Sequence, residues 1–383
     1  MKSLDIFQYI GLFQRMMKKT ILANELETKI MNAVCDLLDH VPHLQISSVH
    51  QERLLGGGLR IDGWIEFLLA NDTYALIIEV QSEGAPRYVR SAVYQLKGYL
   101  AHAYQLGHGN SDRRLIPMLV SPYLSPESRS ICTDLDVAYL DLVGNAHLAF
   151  DYVYIDREVA DRPKSEIRAL RSIFTPKASA ILRALLRDPD RMWRVTDLAE
   201  AANASLGHVS NVRKALLERE WIEKKDDGIV LVQPDALLGT WREEYRQPAG
   251  QRISRYTLFH GDQLTNRLSG ILNPEPGHPR IVFASDSAAQ WYAPYSRDGT
   301  HSFYADESGV RMLEDTLKLT HAVKGANVIV HIPKDQSLFE DADQPAPGIF
   351  CASPIVTYLD LWNGNDRDRE AADHLASRCF PWL

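Results

Sequence analysis

Asp62 and the triplet Glu79-Val80-Gln81 are the residues of this chain whose types and spacing could do chemistry. The stretch that joins them, RIDGWIEFLLANDTYALIIEVQ, reads as a β-hairpin turning at Ala70 and Asn71, where asparagine suits a turn. Symmetric pairing about that turn sets Asp62 opposite Glu79, with Cβ atoms roughly 5 Å apart. Gln81, two residues on, shares their face. The other face then carries Ile61, Ile65, Phe67, Tyr74, Leu76, Ile78 and Val80, which is a core. Two carboxylates that close repel unless a positive charge sits between them. A divalent cation supplies it, and Mg²⁺ takes a carboxylate pair together with waters. Asp62 and Glu79 are therefore the candidate metal ligands, beside an amide in Gln81 that can orient water but cannot carry charge.

A second set of residues is basic. The whole chain carries a net charge of -8, yet 13 Lys or Arg stand against 8 Asp or Glu between Arg162 and Lys224. A basic middle inside an acidic chain is the footprint of a nucleic-acid-binding segment. Thr175 or Ser179 can start a helix there, with Ile181, Leu182, Leu185 and Leu186 as its apolar stripe. Thr196 is placed to cap a second helix over DLAEAAN. Ser205 caps a third, running to about Arg219, with Leu206, Val209, Val212, Leu216 and Leu217 inward. WIEKKDDGIVLV closes the segment as a hairpin with Asp227-Gly228 at its tip. If the third helix enters a major groove, Ser205, His208, Ser210, Asn211, Arg213 and Lys214 face the DNA. Asn211 could read adenine, Arg213 guanine, and Lys214 meets phosphate. Lys224 and Lys225 on the hairpin would touch the backbone.

These patterns resemble known families. Asp62 with Glu79-Val80-Gln81 resembles the core motif of the PD-(D/E)XK nuclease superfamily, in which an Asp and an E-x-K share a metal. Gln95-Leu-Lys-Gly-Tyr99 is similar to the Q-x-x-x-Y motif of its RecB-like members, and that spacing sets Gln95 and Tyr99 on one helical face. The superfamily also places an acid on its first helix, where Glu27 or Glu25 could serve. The resemblance covers roughly residues 20–150 and implies a restriction-endonuclease-like fold, with Mg²⁺ if the domain is active. Gln81 stands where the family has Lys; some restriction enzymes of the superfamily cut with E-x-Q. The basic segment resembles the winged helix-turn-helix of MarR-type and related bacterial regulators. SPIVTYLDLWNGNDRDREAADHL, with LLGTWREEY and the YLDLVGNAHL of the first domain, resembles AbiEi-family antitoxins of type IV toxin–antitoxin systems. That resemblance implies autoregulation on double-stranded DNA and a cognate nucleotidyltransferase-like toxin as partner, and it leaves room for a homodimer.

The elements that must position these residues follow from the rest of the pattern. At 383 residues the chain calls for two or three domains. Residues 1–160 alternate helix (ANELETKIMNAVCDLLDH, YVRSAVYQLKGYLAHAYQL) with strand (LRIDGWIEFLL, TYALIIEVQ, LIPMLVS, VAYLDLVG), an α/β domain. The charged DREVADRPKSEIRALR reads as a linker to a winged helix-turn-helix over 166–246. An α/β C-terminal domain follows over 250–383, with strands at PRIVFAS, ANVIVHIP and GIFCASP. The expected class is thus multi-domain α+β. The N-terminal MKSLDIFQYIGLFQRMMKK reads as an amphipathic helix or arm, and no apolar run is long enough to span a bilayer. Four scattered cysteines form no C-x-x-C pair, which fits a reducing cytoplasm.

Other chemistries find little support. His260, Asp262, His301 and His331 lack ligand spacing, Ser285 lacks a G-x-S-x-G context, and LLGGGLR at 54–60 reads as a loop rather than a phosphate cradle. Asp360 reads as a structural cap or salt-bridge partner at a strand or helix end. Two hypotheses result: a DNA-binding regulator, or a Mg²⁺-dependent nuclease delivered to DNA by its basic helix.

Overall fold

The structure is a computed structural model that describes residues 26–56, 58–295, 299–322 and 324–383. The expected N-terminal arm and Glu25 lie outside the described residues. The chain divides into two compact units, Met1–Glu166 and Ile167–Leu383, each a mixture of helices and sheet.

In the first unit, helix α1 (26–39) precedes strands β1 (Leu44–Gly56), β2 (Leu59–Leu69) and β3 (Asp72–Val80). Helix α2 (Pro86–Gln105), β4 (Arg113–Ser121), α3 (Pro126–Asp134), β5 (Ala138–Asp141), β6 (Ala146–Phe150) and β7 (Val153–Arg157) follow. All seven strands join one sheet in chain order. β3, β4 and β5 run parallel, joined by the crossovers α2 and α3, while the outer strands pair antiparallel. On one face Ile30, Val34 and Leu38 of α1 pack with Ile65, Leu76, Ile78 and Met118. On the other, Val89, Val93 and Leu96 of α2 pack with Trp64, Ile77 and Leu119. Covered on both sides, the central strands read as unbroken apolar runs rather than alternation.

The β2–β3 hairpin has the symmetric register: Leu69 pairs with Asp72 and Gly63 with Ile78, around Ala70 (φ 57) and Asn71. Gly63–Ile78 is the last rung. Just beyond it Ile61 packs with Trp64 and Ile77, not with Ile65 and Phe67 as the alternation predicts. The alternation lapses where β3 no longer holds its neighbour. Gly63 itself lets α1 come close, since a Cβ there would lie 2.8 Å from the Met31 sulfur.

The charged stretch expected as a linker is strand through Arg157 and helix from Lys164, as α4 (Lys164–Ile173). The division between the units falls inside α4. Next come α5 (Pro176–Arg187), α6 (Val195–Ala201), α7 (Leu206–Glu218), the hairpin β8 (Ile222–Lys225) and β9 (Gly228–Leu231), and α8 (Pro234–Glu244). Ser205 caps α7 as expected, accepting from the His208 amide at 3.3 Å. Thr196 does not cap α6; Arg194 holds that position, because the backbone of Trp193 is engaged with Ile229 at 2.8 and 2.9 Å and the helix starts directly after it. Gly228 serves this close approach, as a Cβ would meet the Trp193 carbonyl at 2.4 Å; the tip residues are Asp226 and Asp227.

The remaining elements are β10 (Gly250–Tyr256), α9 (Gly261–Leu268), β11 (Ile281–Phe283), α10 (Ser285–Tyr292), β12 (His301–Ala305), α11 (Glu307–Leu317) and β13 (Thr320–His321). β14 (Val328–Pro333), α12 (Ser337–Glu340), β15 (Asp343–Ala346), β16 (Ile349–Cys351), α13 (Pro354–Trp362) and α14 (Asp366–Cys379) end the chain. Their strands form a mixed sheet in the order β13-β10-β14-β12-β11-β16-β15. One apolar cluster joins Leu182 of α5, Val212 of α7 and Trp241 of α8 to Leu359 of α13 and Leu375 of α14. The stretches 166–246 and 250–383 therefore share a core.

Candidate functional site

Asp62 and Glu79 meet at the carboxyl end of β3, one step past the last hairpin rung. The carboxyl ends of parallel strands are where open α/β sheets receive ligands. Asp62 Oδ2 accepts the Val80 amide at 2.8 Å, so its side chain continues the hairpin in place of a backbone rung. Glu79 Oε1 accepts from Gln95 Nε2 at 3.2 Å, and the same Nε2 lies 2.5 Å from the Tyr99 hydroxyl. The one-turn spacing on α2 thus brings Gln95 and Tyr99 to Glu79. Gln81 is held by its backbone, whose amide donates to Val120 of β4 at 2.8 Å. Among the described residues its side chain makes no hydrogen bond.

The electrostatics are those of crowded acids. Burial, and then the neighbouring Asp62, push the Glu79 carboxyl up to about 7. Burial also raises Asp62, against the pull of the Val80 hydrogen bond. Glu27 on α1 is raised by burial and then by Asp62, which sets it at the rim of the same cluster. Among the described residues, Asp62 Oδ1 and Glu79 Oε2 accept no hydrogen bond, and no group of three or more His, Cys, Asp or Glu is arranged to hold a metal. The donor set is two carboxylates with free oxygens, which fits a Mg²⁺ ion that keeps most of its waters. Asp62 and Glu79 would hold it, and it would supply charge neutralisation and a polarised water.

In the second unit α7 turns Val209, Val212 and Leu216 into the core and leaves Ser205, Asn211 and Lys214 exposed. His208, Ser210 and Arg213 are half-buried, and Leu206, expected inward, is 54% exposed. Lys214 lies 3.8 Å from Glu218 one turn on. Lys224 and Lys225 are exposed on β8, with Lys225 reaching Glu223 at 2.5 Å. This is a polar, cation-bearing face backed by a rigid apolar one.

Two buried carboxylates have a different setting. Asp141, at the end of β5, accepts five hydrogen bonds, from the amides of Leu124, Val143, Gly144 and Asn145 and from Asn145 Nδ2. Asp360 lies in α13 and accepts the hydroxyls of Tyr245 and Tyr304, each at 2.7 Å. It is neither a cap nor an ion-pair partner. Sequence reasoning missed Arg183, which is buried and donates to Asp341 at 2.9 Å and to Ser337. The signal was present: Arg183 falls on the apolar stripe of α5, one residue after Leu182 and two before Leu185.

Compared with family models, with curated proteins and with solved structures, the chain matches none of them.

Proposed function

We propose that the protein binds double-stranded DNA through the segment 166–246 and acts as a transcriptional regulator of the kind the AbiEi resemblance suggests. The observation that carries this reading is the two-faced helix α7: a buried Val209, Val212 and Leu216 row, an exposed Ser205, Asn211 and Lys214 row, and a hairpin with Lys224 and Lys225 beside it in sequence. Three helices followed by a hairpin is the order of a winged helix-turn-helix. Arg213→Ala and Lys214→Ala, tested by gel shift on duplex DNA from the region upstream of the gene, should each weaken binding about tenfold. Lys214→Ala should also lower the salt slope by about 1. Unchanged binding in both variants would remove α7 from the interface.

A second reading has its own observation. The Asp62–Glu79 pair, with Glu79 raised to about 7, is a site that favours a divalent cation. A Mg²⁺-dependent nuclease would use Asp62 and Glu79 to hold the ion, Gln81 to place water, and Gln95 and Tyr99 to orient Glu79. Incubation of the full chain with plasmid and Mg²⁺ or Mn²⁺, beside Asp62→Ala and Glu79→Ala, separates the two readings. Cleavage that both variants lose establishes the enzyme; intact plasmid under all conditions leaves the regulator alone.

A further inference from the structure

The second unit contains a cavity of about 390 Å³ that neither reading uses. Its apolar lining includes Phe174 of α4, Trp241 of α8, Leu338 of α12 and Leu359 of α13. The Phe174 and Trp241 rings stack on each other at 5.9 Å, which stiffens that wall. Four cations complete the lining: Arg171, which faces Glu244, Arg183 inside, and Arg246 and Lys334 exposed at the rim.

The acids of the lining are already engaged. Glu244 lies 3.9 Å from Arg171, and Asp335 accepts from the amide and hydroxyl of Ser337. Arg246 and Lys334 have no ion-pair partner among the described residues. Arg183 is 2% exposed; its Nε and Nη2 bond to Asp341 and Ser337, and its Nη1 has no acceptor among the described residues. The first turn of α5 also lines the cavity, and its N-cap Thr175 makes no side-chain capping bond. Free amides at that end of a helix favour a negative group. A buried cation with a spare donor, two unpaired cations at the mouth and an apolar wall converge on one space.

We propose that this cavity binds a small organic anion with a flat apolar body, such as an aromatic carboxylate or sulfonate. The body rests on the apolar wall, and the anionic group meets Arg246 and Lys334, with Arg183 behind. The volume is that of an ordinary small-molecule site. The inference is independent of DNA binding and of the carboxylate pair in the first unit.

The test uses 8-anilinonaphthalene-1-sulfonate as probe, titrated by fluorescence into the full chain at neutral pH. Saturable binding of one equivalent is expected. The double variant Arg246→Gln/Lys334→Gln changes only exposed side chains and should weaken binding about tenfold, with its circular dichroism unchanged. Uncharged N-phenyl-1-naphthylamine should bind about tenfold more weakly than the sulfonate. Ala249→Trp, at an exposed lining position, should block the mouth and abolish saturable binding. Absence of saturable binding overturns the proposal, as does equal affinity of the double variant or of the uncharged probe.

Discussion

Asp141 and the Asp62–Glu79 pair lie at the same end of the same parallel strands, and they handle buried negative charge in opposite ways. Asp141 accepts five donors, four of them backbone amides: three from the turn that follows it and one, Leu124, from the loop after β4. Asp62 and Glu79 together accept two; burial raises both, and Asp62 raises Glu79 further. A carboxylate whose lone pairs are all met by fixed donors is part of the fold. A pair with spare oxygens, in which one acid raises the other, has acceptor capacity that the fold does not use. Asp360 stands between these two cases: each oxygen accepts one tyrosine hydroxyl, and burial still pushes the carboxyl up to about 6.

The largest effect should come from Asp141→Ala. It strands three buried or half-buried amides, of Leu124, Val143 and Asn145, together with Asn145 Nδ2, while Gly144 keeps the Asp141 carbonyl, and should destabilise the first unit by about 3–5 kcal/mol, read from its urea unfolding transition. A loss under about 1 kcal/mol would break the distinction between the two sites. Glu79→Gln should act in the reverse direction. Folded Glu79 keeps its proton up to about pH 7, whereas an ordinary glutamate releases it near 4.5. The native unit therefore loses stability as pH climbs through that window, and the contribution is absent below it. At pH 8 the variant should be more stable by about 1–2 kcal/mol, a figure reduced for the screening that the open side of the site provides. At pH 4 the two proteins should unfold at the same urea concentration.

How much of this was legible in the sequence depends on the range of the interaction. The hairpin register followed from one turn and the alternation of β2 and β3, because both are local. The strand boundaries of LRIDGWIEFLL match β2 residue for residue. By contrast β1, an edge strand, carries Val49 and Leu54 exposed and alternates too weakly to announce itself. The face of Ile61 was misjudged because it lies past the last β2–β3 rung, where only β1 still pairs with it and Glu52 of β1 leaves the extended conformation (φ 50). Thr196 was misplaced as a cap since the Trp193–Ile229 pairing that starts α6 spans residues far apart in the chain. One-turn spacing on α2 set Gln95 and Tyr99 on one face, and that pair forms; that the face meets Glu79 is a tertiary contact the spacing does not contain. The cavity could not be expected either, because its lining comes from α4, α5, α8, α12 and α13, and only packing brings Arg183, Arg246 and Lys334 to one space.

The finest test concerns Gln95. Its amide touches Glu79 from an exposed position on α2, so Gln95→Ala should change the stability of the first unit by less than about 0.5 kcal/mol. The carboxylate it orients should still feel the loss. If the pair is completed by a cation, Mg²⁺ raises the thermal midpoint of the native protein at pH 8, where Glu79 is ionised, and has little effect at pH 5, where it is protonated. Glu79→Gln should abolish that increment. Gln95→Ala should shift the Mg²⁺ concentration needed for half of it about threefold upward, since a freely rotating carboxylate must be ordered by the ion itself. A midpoint that ignores Mg²⁺ at pH 8 in the native protein would place the pair with Asp141, as charge the fold tolerates without help.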